Sequence, residues 1–156
     1  MDRKLLCIAD NSSECKSAIL FAARRAFLNG GKLVILKIIE PTETSLLSSL
    51  GDAIIEELRI EAQEKLDSLA QFVENSAGIK AQTIIREGEI QTEIAKLIDE
   101  DNEIKTLFLA AGNSKTGPGP LVSLATRGAL NFGKRKAAIM IIPSGLSEDE
   151  IRELAG

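Results

Sequence analysis

The stretch Lys4-Leu-Leu-Cys-Ile-Ala9, followed by Asp10-Asn-Ser-Ser13, decides the fold of this chain. The first part is a short apolar run bounded by charged residues, which is typical of a fully buried parallel strand and not of an alternating, half-exposed one. The second part supplies turn and capping residues, after which apolar residues recur at helical spacing until Asn29-Gly30-Gly31 ends the pattern. The apolar positions of this predicted helix are Ala18, Ile19, Ala22, Ala23, Ala26 and Phe27.

The same order of strand and helix continues along the chain. Further strands are predicted at residues 33–39, 79–86, 104–111 and 137–142, and helices at residues 53–73 and 90–98 and within residues 121–132. The capping-box pattern Ser147-Glu-Asp-Glu150 begins a short terminal helix, with Ile151 and Leu154 on its apolar edge, and we expect it to dock on the body. Because right-handed crossovers place helices on both faces of a parallel sheet, this alternation predicts an α/β fold.

Length and composition fit one ordinary globular domain. The 156 residues are 44% apolar and 27% charged, and we assign residues 1–143 to an α/β domain and residues 144–156 to a tail with a short helix. The longest apolar runs fall far below the roughly 20 residues of a membrane-spanning helix. Residues 1–10 are too short and too soon charged for a signal peptide. We therefore expect a cytoplasmic protein without membrane contact.

Charge and residue types exclude several classes of function. A net charge of −4, scattered basic residues and the absence of Trp and Tyr argue against nucleic-acid binding. The basic triplet Lys134-Arg135-Lys136 is predicted to lie at the negative end of a helix dipole. The chain contains no histidine, which removes Ser-His and Cys-His nucleophiles and histidine metal sites. We predict no catalytic residues and no metal site, and hence no enzyme.

The two cysteines form neither a CxxC motif nor a disulfide framework. Cys7 lies in the first strand and is predicted to pack as a small hydrophobic residue. Cys15 lies in the first turns of the first helix, where a thiol with a pKa lowered by the helix dipole is an alternative, but not the favoured one.

A glycine-rich stretch, Gly112-Asn-Ser-Lys-Thr-Gly-Pro-Gly-Pro-Leu-Val-Ser123, follows the fourth strand and precedes a helix. Glycines allow close approach of the backbone to a ligand, and a helix start favours an anion, but strand-to-helix turns are also rich in Gly and Pro for conformational reasons alone. Both readings stay open. The stretch matches neither the P-loop, because Pro118-Gly119 stands where lysine is needed, nor the dinucleotide fingerprint.

From Leu5 to about Pro143, the chain resembles the universal stress protein family. Four segments carry the resemblance by their order and spacing: Leu5-Leu-Cys-Ile-Ala-Asp10-Asn-Ser12, Leu33-Val-Ile-Leu-Lys-Ile-Ile-Glu-Pro41, Glu87-Gly88 and Leu107-Phe-Leu-Ala-Ala-Gly112. The resemblance implies a single-domain, open, five-stranded parallel sheet in the order 3-2-1-4-5, with helices on both faces. It also implies homodimers in which the last strand, here Ala137 to Ile142, pairs across a two-fold axis.

Many members of this family bind ATP or AMP, with Mg²⁺ if ATP. By position, Asp10 matches the family's nucleoside-binding aspartate and Ile38 the aliphatic residue beside the base. The simpler alternatives are a helix N-cap for Asp10 and core packing for Ile38. The family's phosphate motif is Gly, two residues, Gly, nine residues, Gly, then Ser or Thr. Counted from Gly112 it meets Lys115 and then Ala125-Thr126, whereas a gapped alignment places Gly119-Pro-Leu-Val-Ser123 on its last part.

The resemblance therefore predicts a nucleotide site formed by Asp10, Ile38, Gly112, Lys115, Gly117, Gly119, Ser123 and Thr126. The first functional hypothesis is a stress-response or regulatory module that binds ATP or AMP and acts by binding, without turnover. The alternative is a dimeric interaction protein of the same fold that binds no nucleotide. A hydrolytic enzyme is the weakest hypothesis, since no activated nucleophile is visible.

Overall fold

The structure is a computed structural model, and it describes residues 3–10, 12, 14–41, 49–112, 119–126 and 135–156, with the backbone alone at Pro120, Leu124 and Thr126. The strands in these ranges are β1 (Lys4–Ile8), β2 (Lys32–Ile39), β3 (Ala81–Glu87), β4 (Ile104–Ala110) and β5 (Ala138–Ile142). The helices are α1 (Glu14–Asn29), α2 (Gly51–Ala77), α3 (Ile90–Glu100), α4 (Pro120–Thr126) and α5 (Glu148–Ala155). The predicted order of strands and helices is confirmed across these ranges.

The five strands form one parallel sheet in the order β3-β2-β1-β4-β5. This is the predicted order. From β1 the chain builds outward to β2 and β3 on one side, and then returns to place β4 and β5 on the other side. The order of strands therefore reverses between β1 and β4, and in open sheets of this kind ligands bind beyond the carboxyl ends of the strands at that position.

Two apolar clusters cover the two faces of the sheet. Alternate residues of β1 enter opposite clusters, with Leu5 and Cys7 toward α1 and α2, and Leu6 and Ile8 toward α3 and α4. The two helix pairs lie on opposite faces because the right-handed crossovers lead to opposite sides of β1. The tail docks on the body as predicted, since Ile151 of α5 is buried in the first cluster.

The long helix α2 exceeds its predicted length at both ends. It spans Gly51–Ala77, whereas apolar periodicity predicted residues 53–73. Its carboxyl end is set by Gly78, which adopts a left-handed conformation with φ of 70° and donates its backbone N–H to the Glu74 carbonyl. The last turn is polar, so hydrophobic periodicity did not include it, but a glycine C-cap can end a helix beyond its apolar stripe.

Two residues predicted to be on buried helix faces are exposed. Phe27 of α1 is 55% exposed and Leu154 of α5 is 56% exposed. In α5 the buried residues are Ile151 and Ala155, four positions apart, and the adjacent Leu154 is turned outward. In α1 the buried face runs through Ala22, Ala23 and Ala26. Helical spacing identifies the stripe of apolar residues on a helix, and packing against neighbouring elements determines which residues of that stripe are buried.

An ion pair fixes the amino end of β1 against the turn before β4. Lys4 Nζ lies 2.7 Å from Asp101 Oδ2 and 3.4 Å from Glu103 Oε2. The hydrogen bond to Asp101 raises the pKa of Lys4 above its usual value. Burial raises the pKa of Asp101. The hydrogen bonds from Lys4 and from the Glu103 backbone N–H, with the positive charges of Lys4 and Arg135, together lower it by more, so the net shift is downward. These contacts help to hold β1 and β4 side by side.

Candidate functional site

Three of the predicted site residues lie at the carboxyl ends of three adjacent strands, with Asp10 and Gly112 just after β1 and β4 and Ile38 the penultimate residue of β2. Ile8 pairs with Leu36, Cys7 pairs with Phe108, and the Ala9 backbone N–H donates to the Leu36 carbonyl at 2.8 Å. Continued past the end of β1, the β1–β2 register aligns Asp10 with Ile38. The β1–β4 register aligns Asp10 with Ala111, the residue before Gly112. Because neighbouring strands lie about 4.8 Å apart, these three residues share one edge of the sheet across the β1–β4 switch point.

Asp10 organises the turn between β1 and α1. Its Oδ1 accepts hydrogen bonds from the Ser12 backbone N–H at 2.8 Å and from the Ser12 hydroxyl. Helix α1 begins at Glu14, so Asp10 lies too early in the chain to be its N-cap, and the N-cap alternative is wrong. The contacts are those of an Asx-turn. Among the described residues, none donates a hydrogen bond to Asp10 Oδ2, which leaves that oxygen available as an acceptor.

Ile38 both packs in the core and borders a cleft. Its side chain is 9% exposed within the second apolar cluster, so the core-packing alternative holds for most of its surface. The cleft has a volume of about 430 Å³, within the roughly 300–1,000 Å³ of small-molecule sites. Its walls are the end of β2 and the middle of α2, with Lys37, Ile38, Ile39, Glu40, Leu58, Glu61, Ala62 and Lys65. Residue patterns did not indicate this cleft, because its α2 wall includes Glu61 and Lys65, which apolar periodicity placed on the polar side of the helix.

The two ends of the glycine-rich stretch also lie at this region of the fold. Gly112 is half-buried just after β4, where the preceding Ala111 N–H donates to the Ile142 carbonyl at 2.9 Å. Gly119 has a left-handed φ of 91° and its carbonyl accepts from the Ser123 N–H at 3.0 Å. The predicted site residues Lys115 and Gly117 lie outside the described residues, as does the side chain of Thr126. Their phosphate-binding roles stay predictions.

Cys15 does not have the low-pKa thiol that was the less favoured alternative for this position. The residue is only 1% exposed, and burial raises the pKa of its thiol, with the charge of Asp10 raising it further. Its Sγ lies 3.7 Å from the Asp10 carbonyl oxygen, to which it donates. The alternative of a thiol pKa lowered by the helix dipole is wrong, because desolvation dominates at a buried position. Cys7 is fully buried in the core, as predicted for a small hydrophobic residue, and burial raises its pKa as well.

Sequence reasoning missed a buried carboxylate beside Gly88. Glu93, in the first turns of α3, is 7% exposed and its Oε2 lies 3.3 Å from Lys96 Nζ. Its carboxylate packs against Gly88, which has φ of 148° and donates its N–H to the Ile39 carbonyl at 3.0 Å. The Glu87-Gly88 pair was visible as a turn, but a glutamate between Thr92 and Ile94 in a predicted helix gave no sign of burial. This contact joins the end of β3 to the start of α3 at the same edge as Ile38.

Arg135 holds the segment before β5 against the carboxyl end of α3. Its guanidinium donates to the Ile98 carbonyl at 2.9 Å, to the Asp101 carbonyl at 3.0 Å and to the Ile104 carbonyl. Its backbone N–H donates to Asp99 Oδ1 at 2.9 Å. Arg135 lies at the negative end of a helix dipole, but the helix is the distant α3, whereas Lys134 and the end of the helix that precedes the triplet lie outside the described residues.

Comparison with known proteins identifies related chains. A family model described as "Universal stress protein family" matches residues 1–114. No curated protein gives a significant match. Among solved structures, the universal stress protein UspA from Lactobacillus plantarum is 18% identical over 90% of this chain and 97% of its own, with a TM-score of 0.71.

Two further similar structures are complexes with nucleotides. The universal stress protein from Archaeoglobus fulgidus in complex with dAMP is 17% identical over 91% of this chain and 98% of its own, with a TM-score of 0.60. A universal stress protein in complex with cAMP is 15% identical over 92% of this chain and 98% of its own, also with a TM-score of 0.60. At these identities the likeness establishes a shared fold. Within the described ranges, none of the helices has the length and apolar character needed to cross a membrane.

Proposed function

Since this chain belongs to the universal stress protein family, we propose that it binds an adenine nucleotide, ATP with Mg²⁺ or AMP, and acts by binding, without turnover, as a cytoplasmic stress-response or regulatory module. One observation carries the proposal. Asp10 and Gly112 follow the ends of β1 and β4 at the switch point of the sheet, and Ile38, the penultimate residue of β2, borders the 430 Å³ cleft. A concave site with an apolar side and a few polar groups suits a nucleoside.

Each of these residues offers a different part of the required chemistry. Asp10 Oδ2 can accept a hydrogen bond from a ribose hydroxyl while Oδ1 stays engaged with Ser12. Ile38 contributes apolar surface for the base. Gly112 allows the backbone to approach phosphates without a Cβ in the way. Mg²⁺ would arrive on the phosphates of ATP, because Mg²⁺ is commonly held by substrate phosphates and one or two carboxylates. The complexes of similar proteins with dAMP and cAMP support this ligand class.

Isothermal titration with ATP and AMP tests the proposal. We expect saturable heat with the wild-type protein and about tenfold weaker binding in Asp10→Asn, because the charged acceptor is lost, at about 1.4 kcal/mol, while the bond to Ser12 is kept. The control is Asp149→Asn, which removes an exposed carboxylate on α5. Absence of heat at millimolar ATP and AMP would end the proposal, and unchanged affinity in Asp10→Asn would remove Asp10 from the site.

The second candidate is a dimeric interaction protein that binds no nucleotide. The observation that favours it is the edge of the sheet at β5, which in the described part of the chain pairs only with β4. Ala138 is exposed and Ile141 is 41% exposed, and an apolar edge strand invites pairing with another strand. A two-fold partner would cover this edge.

Sedimentation velocity at micromolar concentration tests this second candidate. We expect a dimer for the wild-type protein and a monomer for Ile141→Lys, because a charged residue on an edge strand opposes pairing. The matched control is Ile60→Lys, which adds the same charge at an exposed isoleucine of α2, 52% exposed, far along the chain from this edge. A wild-type monomer would contradict the dimer.

A further inference from the structure

Strand β3 forms the other edge of the sheet, opposite β5, and it is open along one side. All 7 of its residues pair with β2 in a continuous register, and no strand in the described part of the chain pairs with its other side. Every residue of β3 is at least partly exposed, whereas residues 33–36 of the neighbouring β2 are buried. The burial pattern therefore agrees with an uncovered edge.

The backbone hydrogen bonds show which residues of β3 face the open side. In a parallel strand, the N–H and C=O of one residue point the same way, and those of the next residue point the opposite way. The N–H of Gly88, just after β3, donates to the Ile39 carbonyl of β2 at 3.0 Å. Every second residue counted back from Gly88 therefore faces β2. The residues between them direct both backbone groups to the open edge, and they are Ala81, Thr83, Ile85 and Glu87.

An extended backbone is the partner that matches this edge. The outward groups recur at every second residue, about 6.6 Å apart, which a second strand matches and a helix does not. The strand lacks several devices that commonly block edge pairing, since it contains neither proline nor lysine and no bulge interrupts its register. Ile84 and Ile85 are half-buried and add apolar surface on its two faces.

The sequence of β3 is complementary to itself in an antiparallel pair centred on Ile84. We propose that β3 of one copy pairs in this register with β3 of a second copy, about a two-fold axis at Ile84. Outward residues then face outward residues and exchange both N–H···O bonds, and no two like charges face each other. The directly opposed pairs are Ile84 with Ile84, Thr83 with Ile85, Gln82 with Arg86 and Ala81 with Glu87.

The pairing joins two copies through one pair of strands, so we expect it to be weak. Such an interface falls below the roughly 1,200 Å² of stable complexes, and we expect a dissociation constant of about 0.1–1 mM. The charges at the end of β3 do not prevent pairing, because each has a partner within its own copy. Arg86 pairs with Glu100 and Glu87 with Arg59. Because β3 and β5 are opposite edges, this surface is independent of the β5 edge and of the nucleotide site.

Sedimentation equilibrium of the full chain carrying Ile141→Lys, at concentrations up to roughly 1 mM, tests the pairing. The lysine at β5 keeps that edge from contributing. Gln82 is exposed and faces Arg86 of the second copy, so Gln82→Lys opposes like charges. It should weaken association about tenfold, because the contact occurs twice about the axis. Gln82→Glu opposes unlike charges and should strengthen association about threefold.

Thr83→Pro tests the main-chain contact directly. It removes one outward N–H and keeps the bonds to β2, because proline is tolerated in an edge strand where its nitrogen faces away from the sheet. It should abolish association in this concentration range, whereas the control Thr83→Val keeps the N–H and should associate as its parent does. Circular dichroism of each variant checks the fold. If Thr83→Pro does not fold, the two Gln82 variants decide the question, since that side chain is exposed.

Two results would overturn the pairing of β3 with a second copy. One is the absence of association in Gln82→Glu over the whole concentration range, and the other is association that survives in a folded Thr83→Pro. Equal effects of Gln82→Lys and Gln82→Glu would overturn the register centred on Ile84.

Discussion

Replacement of Gly88 by alanine is expected to lower the free energy of unfolding by about 3 kcal/mol, because backbone strain and a steric clash act together. Gly88 has φ of 148°, a conformation that L side chains rarely adopt. A Cβ at this position would lie 2.8 Å from Glu93 Oε2 and 3.0 Å from Glu93 Cδ. The carboxylate would have to leave its buried position and its contact with Lys96, which lies 3.3 Å away. Equilibrium denaturation in urea measures the loss.

Two further variants separate strain from clash in this prediction. Gly145→Ala also places alanine at a positive φ, 78°, but its Cβ would meet no atom within 4 Å. It should cost about 1 kcal/mol, the penalty of the left-handed backbone alone. Gly88→Ala combined with Glu93→Ala removes the clash, and it should cost less than the sum of the two single variants. Equal losses in Gly88→Ala and Gly145→Ala would show that Glu93 exerts no steric restriction.

Arg135→Ala is expected to destabilise the protein by about 2–4 kcal/mol, since three backbone carbonyls lose a charged donor. The carbonyls of Ile98, Asp101 and Ile104 lie at the end of α3 and the start of β4, and no other described side chain donates to them. The figure is below the sum of three charged hydrogen bonds because the site is partly open and water can replace the guanidinium. The midpoint of urea unfolding, compared at an unchanged m-value, gives the change in stability.

The neighbouring lysine provides the control for Arg135. Lys136 is exposed, and Lys136→Ala should change stability by no more than about 0.5 kcal/mol. Arg135→Lys keeps the charge but lacks the planar fork that serves several carbonyls at once, so an intermediate loss is expected. If Arg135→Ala unfolded at the same urea concentration as Lys136→Ala, the three hydrogen bonds would not stabilise the fold.

Part of the candidate site could be predicted from the sequence. Asp10, Ile38 and Gly112 each lie at the carboxyl end of a strand that apolar runs had located, and parallel strands end at one edge, so their meeting followed from the strand order. Local geometry could not be predicted in the same way. The Asp10 carboxylate accepts a hydrogen bond from the Ser12 backbone N–H in an Asx-turn. An N-cap aspartate makes the same kind of contact, and the two differ here because α1 begins only at Glu14. Residue patterns place helix starts with an uncertainty of one or two residues.

Other parts of the site depend on neighbours that are distant in sequence. The helix position of Cys15 left a lowered thiol pKa open as an alternative, but packing buries the residue and desolvation raises its pKa. Glu93 is a charged residue in a helix, which indicates a surface position, but its carboxylate packs against Gly88, next to the end of β3. The cleft between β2 and α2 depends on how far the helix stands from the strand end, which no single segment specifies.

The sequence by itself determined the class of fold, the order of its elements and the docking of the terminal helix. These features follow from apolar runs and from capping residues, such as Gly78 at the end of α2 and Ser147 at the start of α5. Capping residues affect only the few residues next to them, so they can be recognised in the sequence. Only the tertiary structure decided that Phe27 and Leu154 are exposed, that Glu93 is buried, and that Arg135 bonds to a helix more than thirty residues away. The physical reason is that burial and long-range hydrogen bonds are set by the packing of whole elements against each other, whereas local propensity acts along the chain.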